Sequence, residues 1–420
     1  MRFIYNLLTY LLLIPYAVYW TARAALNASY RPRLGQRFGI GHPQLERSIW
    51  VHAVSVGEVV AAAPLIRALL ERYELPLLVT TMTPTGAARV QALFGDTVHH
   101  SYIPFESPDA VNRFFAAANP RIALIMETEI WPNLYHGCGT RGIPLVLVSA
   151  RISPRSVGSY RKLLPLFRET LSHGILIAAQ SQADADRFLS LGAAPERTRV
   201  TGNIKFDIQL PADLVERGAA FRQSTFPDRP VWIAASTHDG EEQQVLAAHR
   251  TLLESFPSLL LILVPRHPDR FAAVREYLER QKFRFVSRTA GRACDASTQV
   301  FLGDTMGEVT LFYAASDIAF VGGSLVPIGG HNLLEPAALG LPIVTGPHLF
   351  NAQAIADEFR RERASVIVES PARLADAVAG FLNDPGDARQ TGRNALAILN
   401  QNRGALGRLL EVVDPLLGGS

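Results

Sequence analysis

From residue 48 onward the chain alternates unbroken apolar runs with stretches in which apolar residues recur every three to four positions. The short runs read as strands buried on both faces, and the longer periodic stretches read as the helices that cover them. A first series runs through "SIWVHAV" (48–54), "LPLLVTTM" (75–82), "HHSYIPF" (99–105), "RIALIME" (121–127), "IPLVLVSA" (143–150) and "ILIAAQS" (175–181). A second runs through "PVWIAAS" (230–236), "LLLILVPRH" (259–267), "FRFVS" (283–287), "TQVFLGD" (298–304), "DIAFVGGS" (317–324), "LPIVTGP" (341–347) and "ASVIVES" (364–370). Strand and helix in regular alternation predict parallel sheets, so the expected fold is α/β, with two doubly wound Rossmann-like domains. Ligands of such sheets bind beyond the carboxyl ends of the strands, and the expectation is that the two domains face one cleft. The mixed, proline-bearing stretch 205–229 reads as the linker, and 371–415 as amphipathic helices broken at "NDPGD". The expected partition is residues 1–45, 46–210 and 211–420.

The amino terminus breaks the pattern. "FIYNLLTYLLLIPYAVYWTA" (3–22) is uncharged and long enough to enter a bilayer. Its only preceding basic residue is Arg2, and "ALNAS" offers no small-residue cleavage site of a secretory signal, so a retained anchor is expected. No Asp or Glu occurs in residues 1–45, and Arg23, Arg31, Arg33 and Arg37 follow the apolar run. The positive side therefore puts the body of the protein in the cytoplasm. Whether the segment spans the bilayer or lies in one leaflet stays open.

Composition narrows the classes further. With 48% hydrophobic and 19% charged residues, the 420-residue chain is neither disordered nor a multi-span membrane protein. A net charge of +3 without a nucleic-acid-reading motif gives no reason to expect a nucleic-acid partner. The two cysteines, Cys138 and Cys294, have neither zinc-site nor disulfide-framework spacing.

Chemistry-bearing residues gather at predicted strand ends. Glu58 follows a glycine at a strand-to-helix turn, which suits either a helix start favoured by the macrodipole or a catalytic carboxylate. Glu127 and Glu129 end an apolar strand, and alternation sends them to one side with Thr128 opposite. Between Arg141 and Arg168 six basic residues, including Arg151, Arg155, Arg161 and Lys162, occur without one acidic residue. That stretch is either a solvated helix face or an attraction for an acidic acceptor or an anionic membrane. In the second half, Pro265 and Arg266 close a strand, and Arg266 offers a fork suited to phosphate. Ser236 and Thr237 sit in a polar loop before a helix, where they would bind phosphate or simply cap. Met306, Gly307 and Glu308 form a turn into a helix. "GGSLVPIGGHNLLEP" (322–336) sets four glycines before a helix expected to be capped by Asn332. Asn332 and Glu335 read as a capping box, or as an anion site whose Glu335 accepts from the two hydroxyls of a ribose.

Taken in order, "HAVSVGE", "TTMTPTG", "METEIWPN", "VTGNIKFD", "VPRHP", "GDTMGE" and "GGSLVPIGGHNLLEP" resemble the bacterial 3-deoxy-D-manno-octulosonic acid (Kdo) transferases of lipid A assembly, over essentially the whole chain. The resemblance implies a GT-B glycosyltransferase fold, CMP-Kdo as donor, a lipid A precursor as acceptor, inversion at the anomeric carbon, and neither cofactor nor active-site metal. It implies Glu58 as general base and Glu127 and Lys205 as transition-state stabilisers. It also implies Pro265, Arg266, Met306, Gly307, Glu308, Asn332, Leu333, Leu334 and Glu335 as the CMP-binding set. The expected place of work is the cytoplasmic face of the inner membrane, reached through residues 3–22. Two other readings stay open on the residues alone: a sugar-nucleotide 2-epimerase on the same architecture, and a non-catalytic membrane-tethered lipid-binding protein.

Overall fold

The structure is a computed structural model that describes residues 2–162 and 164–418, the side chains of Arg155, Ser159 and Lys162 excepted. The chain forms two compact units: Met1–Asp207 with Asn402–Ser420, and Ile208–Gln401.

The first unit holds seven parallel strands, β1 (Ser48–His52), β2 (Leu77–Thr81), β3 (His99–Tyr102), β4 (Pro120–Met126), β5 (Leu145–Ala150), β6 (Leu176–Ala179) and β7 (Thr198–Val200). They lie in the order β3-β2-β1-β4-β5-β6-β7. Alternate side chains of each strand feed opposite cores, as the pleat requires. Ile49, Val51, Ile122, Leu124 and Met126 join one core, while Trp50, Ala123 and Ile125 join the other. Strand β7 escapes the sequence reading because it is three residues long and exposes Arg199 and Val200 at the sheet edge. The basic stretch from Arg141 onward contains β5 and then two short helices, Pro154–Lys162 and Leu164–Leu171.

The second unit is built alike from β8 (Val231–Thr237), β9 (Leu260–Pro265), β10 (Phe285–Ser287), β11 (Val300–Leu302), β12 (Ile318–Val321), β13 (Ile343–Thr345) and β14 (Ser365–Ile367). All pairings are parallel, in the order β10-β11-β9-β8-β12-β13-β14. In both sheets the strand order reverses once near the middle, between β1 and β4 and between β8 and β12. A crevice opens at such a reversal, because the crossovers leave it on opposite faces.

One boundary differs from the sequence reading. The last helix, Ala405–Gly418, belongs to the first unit rather than closing a 211–420 domain. Its Ala405, Leu409, Leu410, Val413 and Leu417 complete the core that contains Ile49 and Ile122. Polar latches fix it: Arg72 and the Tyr73 hydroxyl hold Asp414 at 2.6 and 2.7 Å, and Arg408 donates to the Thr201 carbonyl at 2.9 Å. An amphipathic pattern specifies that a face is buried but not which sheet buries it.

The apolar amino-terminal segment is one helix, Arg2–Leu26. Arg2 pairs with Glu169 at 3.0 Å, the Tyr5 hydroxyl donates to Glu106 at 2.8 Å, and that of Tyr10 donates to Asp109 at 2.9 Å. Further along, Tyr16 packs on Phe105, and the Arg37 guanidinium lies 3.6 Å from the centre of the Trp20 ring. These contacts run from residue 2 to residue 20, about 27 Å of helix at 1.5 Å per residue. The helix is therefore strapped lengthwise to the first unit. Its opposite side leaves Phe3, Ile4, Leu7, Leu11, Leu12, Ile14 and Val18 exposed.

Candidate functional site

At the carboxyl end of β1, Ser55 caps the helix Val56–Arg72, and Glu58 lies in its first turn. The Val54 N–H donates to Glu58 Oε2 at 2.9 Å, and the Ser55 hydroxyl approaches Oε1 at 3.3 Å. This is capping-box geometry, and a helix start by itself would hold a carboxyl below its usual range. Glu58 instead sits well above that range, at about 7, chiefly through burial, with the charges of Glu127 and Glu129 adding to it. A carboxyl so held titrates near neutrality, where a general base is most effective.

Across the strand reversal, β4 ends at Met126 and Glu127 turns into the left-handed region at φ 55°. The strand alternation expected for Glu127 to Glu129 therefore stops at Met126. Glu127 Oε1 receives Lys205 Nζ at 2.7 Å, and Arg151 Nε lies 3.5 Å from Oε2. The Thr128 hydroxyl donates to the Arg151 carbonyl, and Glu129 accepts from the Trp131 indole at 2.8 Å. Lys205 is positioned by the turn Ile204–Phe206, whose Ile204 N–H donates to the Ser149 hydroxyl at 3.1 Å. Ser149 in β5 is itself left-handed, at φ 49°. Non-glycine residues in this conformation cost about 1–3 kcal/mol and persist where surrounding structure holds them, often at sites. The structure thus gathers Glu58, Glu127, Glu129, Lys205 and Arg151 at the carboxyl ends of adjoining strands of one sheet. Arg155 and Lys162 lie outside the described side chains.

In the second unit the glycine-rich stretch resolves differently from its sequence reading. The helix there is Leu334–Ala338, five residues long, and its cap is Leu333 rather than Asn332. Asn332 still accepts from the Leu334 N–H at 3.1 Å and donates to Glu335 at 3.2 Å. The amides before it are not free for an anion, because those of Gly329 and Gly330 donate to the Gly323 carbonyl and that of His331 to Gly322. The amides of Gly323, Ser324 and Leu325 all converge on the Glu241 carboxylate, at 2.6, 3.0 and 2.9 Å. Glu241 is fully buried, and burial raises its pKa against the pull of these donors. The glycines let the loop close around that carboxylate. Gly323 at φ 68° and Gly329 at φ 110° have conformations that a side chain disfavours, and a Cβ at 329 would lie 2.5 Å from Asn351 and Phe350.

Beside this loop His238 and His331 share a hydrogen bond at 2.8 Å, with ring planes 5° apart. Burial pushes His331 down to about 3 and also lowers His238. His267 packs edge-on to His238 at 5.4 Å. Arg266 is anchored through its amide to the Thr237 carbonyl at 2.9 Å, and its guanidinium has no ion-pair partner among the described residues. Pro265 is buried at the end of β9, Thr237 is buried in β8, and Ser236 is left-handed at φ 59°. Of the remaining expected positions, Met306 is exposed and Gly307 is left-handed at φ 83°. Glu308 is held low by a bidentate pair with Arg288. Leu333 and Leu334 are 1% and 2% exposed, so they offer a ligand their backbone and not their side chains.

Sequence reasoning missed Glu241 and the His238–His331 pair. A Glu in the first turn after a glycine carries no signal beyond an ordinary helix start, and the two histidines are 93 residues apart.

Two Rossmann-like sheets, each with charged and polar side chains collected at the reversal of its strands, define the architecture of the GT-B class. Residues 32–208 match the family described as 3-deoxy-D-manno-octulosonic-acid transferase (kdotransferase), and residues 235–397 match glycosyl transferases group 1. The chain is 44% identical to a 3-deoxy-D-manno-octulosonic acid transferase of Haemophilus influenzae over 92% of both chains. It is 36% identical to the one of Bordetella pertussis over 97% of both. The chain belongs to the 3-deoxy-D-manno-octulosonic acid transferase family. In fold it is also similar to the UDP-GlcNAc 2-epimerase of Neisseria meningitidis, with a TM-score of 0.55 at 14% identity over 87% of this chain and all of that one.

Proposed function

We propose that this Kdo transferase moves Kdo from CMP-Kdo to a lipid A precursor with inversion, without a metal in the reacting centre. The observation that carries the reading is the Glu58 carboxyl, held at about 7 beside the Glu127–Lys205 pair. In this reading Glu58 takes the proton of the attacking sugar hydroxyl as the bond to the anomeric carbon of Kdo forms and the bond to the CMP oxygen breaks. Glu127 offsets the positive charge that develops on the sugar ring, and Lys205 offsets charge on the anionic side. The first unit takes the acceptor and the second the donor. Arg266 is the leading phosphate ligand, because its charge is unpaired among the described residues. Asn332 and Glu335 offer polar groups to the ribose. Met306, Gly307, Glu308, Pro265 and the backbone of Leu333 and Leu334 line the nucleotide's place.

The proposed workplace is the cytoplasmic face of the inner membrane. The exposed apolar side of Arg2–Leu26 would lie in one leaflet, since a helix strapped to the protein body from Arg2 to Trp20 has no length free to cross. The basic run from Arg141 to Arg168 would attract anionic headgroups or the acceptor's phosphates.

The test is transfer from CMP-Kdo to a lipid A precursor, read by mass spectrometry, in wild type and Glu58→Gln. A gain of the Kdo mass in wild type only, with CMP-Kdo affinity kept in the variant, supports the reading. A UDP-GlcNAc epimer in place of that gain would replace it with the epimerase reading.

A further inference from the structure

The proposed transfer makes no use of one cluster in the first unit. His136 lies in the helix Pro132–Thr140, Glu169 lies in Leu164–Leu171, and His173 follows two residues beyond that helix's end. One ligand atom from each falls within 4.8 Å of the other two. The ring nitrogens His136 Nδ1 and His173 Nε2 are 3.3 Å apart. Two nitrogens that each stand about 2.0–2.1 Å from one tetrahedral ion are separated by roughly 3.4 Å, so the pair already has the spacing of one edge of a coordination tetrahedron. The rings meet edge to face at 72°, and the two nitrogens share a hydrogen bond whose proton a bound ion would displace.

The position of His173 is built into the fold. Gly139, on the same helix as His136, lies under the His173 ring, and a Cβ there would stand 2.7 Å from the His173 Cβ and 2.8 Å from its Cγ and Nδ1.

We propose that His136, His173 and Glu169 form a site for one divalent transition-metal ion of zinc's class, in which Arg2 is the resident competitor. Arg2 Nη1 holds Glu169 Oε1 at 3.0 Å, with side-chain exposures of 23% and 34%, and its second nitrogen donates to Asn133 at 3.0 Å. A partly exposed pair of this kind contributes little, far less than a third metal ligand does. Arg141 adds a second cation nearby, so the expected affinity is micromolar rather than that of a closed structural zinc site. Arg2 begins the strapped apolar helix, so the ion would release the start of that helix from the protein body. Coupling of this kind is reciprocal: loss of Arg2 must tighten metal binding.

The test uses the full detergent-solubilised chain, stripped with chelator and titrated with Co²⁺ for visible absorption and with Zn²⁺ by calorimetry. One ion per chain is expected, with an absorption band of low-coordinate cobalt. His136→Asn and His173→Asn should each weaken binding at least tenfold, and Arg2→Gln should tighten it severalfold. Histidine modification in wild type, mapped by mass spectrometry, provides a readout independent of variant folding, and Zn²⁺ should protect His136 and His173. The proposal is overturned by absence of binding to wild type, by undiminished binding in His136→Asn/His173→Asn, or by protection that falls on other histidines.

Discussion

Replacing Glu58 by Gln removes a carboxyl that the fold holds at about 7 against an ordinary 4.5. Between those values the native chain keeps a proton that the unfolded chain has already lost. Wild-type stability therefore falls as pH rises through this window, and the whole penalty is present above pH 7. A displacement of that size corresponds to about 3 kcal/mol, and partial access of water to the carboxylate reduces it to roughly 1–2 kcal/mol. The Gln variant carries no such penalty and keeps an acceptor for the Val54 N–H, which donates to Glu58 at 2.9 Å. It should match wild type at pH 4 and exceed it at pH 8 by a few degrees in the first thermal transition. Transfer should fall in the same variant by about 10²–10⁴, the usual worth of a positioned base. The wild-type rate should rise with pH through about 7 as Glu58 loses its proton. A variant less stable than wild type at pH 8 would reduce Glu58 to an ordinary helix cap, and near-normal transfer would remove it from the chemistry.

Other expectations follow from the two sites. Glu241→Gln keeps the size of the side chain but sets an NH₂ against amides that converge at 2.6 to 3.0 Å. It should cost about 1–3 kcal/mol and accelerate hydrogen exchange across 322–331, and unchanged exchange would contradict its role as the loop's clamp. Arg266→Ala should weaken CMP binding by roughly 10–100-fold in calorimetry with little change in melting temperature, and an unaltered affinity would move the phosphate elsewhere. Lys205→Met strands Glu127 with only Arg151 at 3.5 Å, so transfer should fall strongly while CMP binding persists. Lys205→Arg should recover part of the loss.

The sheets were readable in advance because strands buried on both faces, such as β5 and β9, are mostly apolar, and thirteen of the fourteen strands fall in the runs read from the sequence, the partly exposed edge strands β3 and β14 among them. The exception, Thr198–Val200, lies at an edge where packing asks little of the sequence. Glu58 was readable as a carboxylate in a first helical turn, but its displacement from that turn's ordinary acidity was not, because it comes chiefly from burial in the folded chain, with Glu127 and Glu129 adding to it from beyond the end of another strand. The glycine-rich stretch shows the opposite case. Its composition correctly marked a backbone with unusual needs, yet the carboxylate that organises it, Glu241, arrives from 82 residues earlier in the chain.

By itself, the order of residues determined which segments become strands, which become helices, where chemistry-bearing side chains fall relative to strand ends, and the family to which the chain belongs. Those properties depend on local periodicity and local motifs, which a linear chain records directly. Only the tertiary structure decided that the final helix completes the first core, that Lys205 and Arg151 share Glu127, that the loop amides are spent on Glu241, and that the apolar helix is strapped along its length. Each of these joins groups distant in sequence, and burial and charge act through space rather than along the chain.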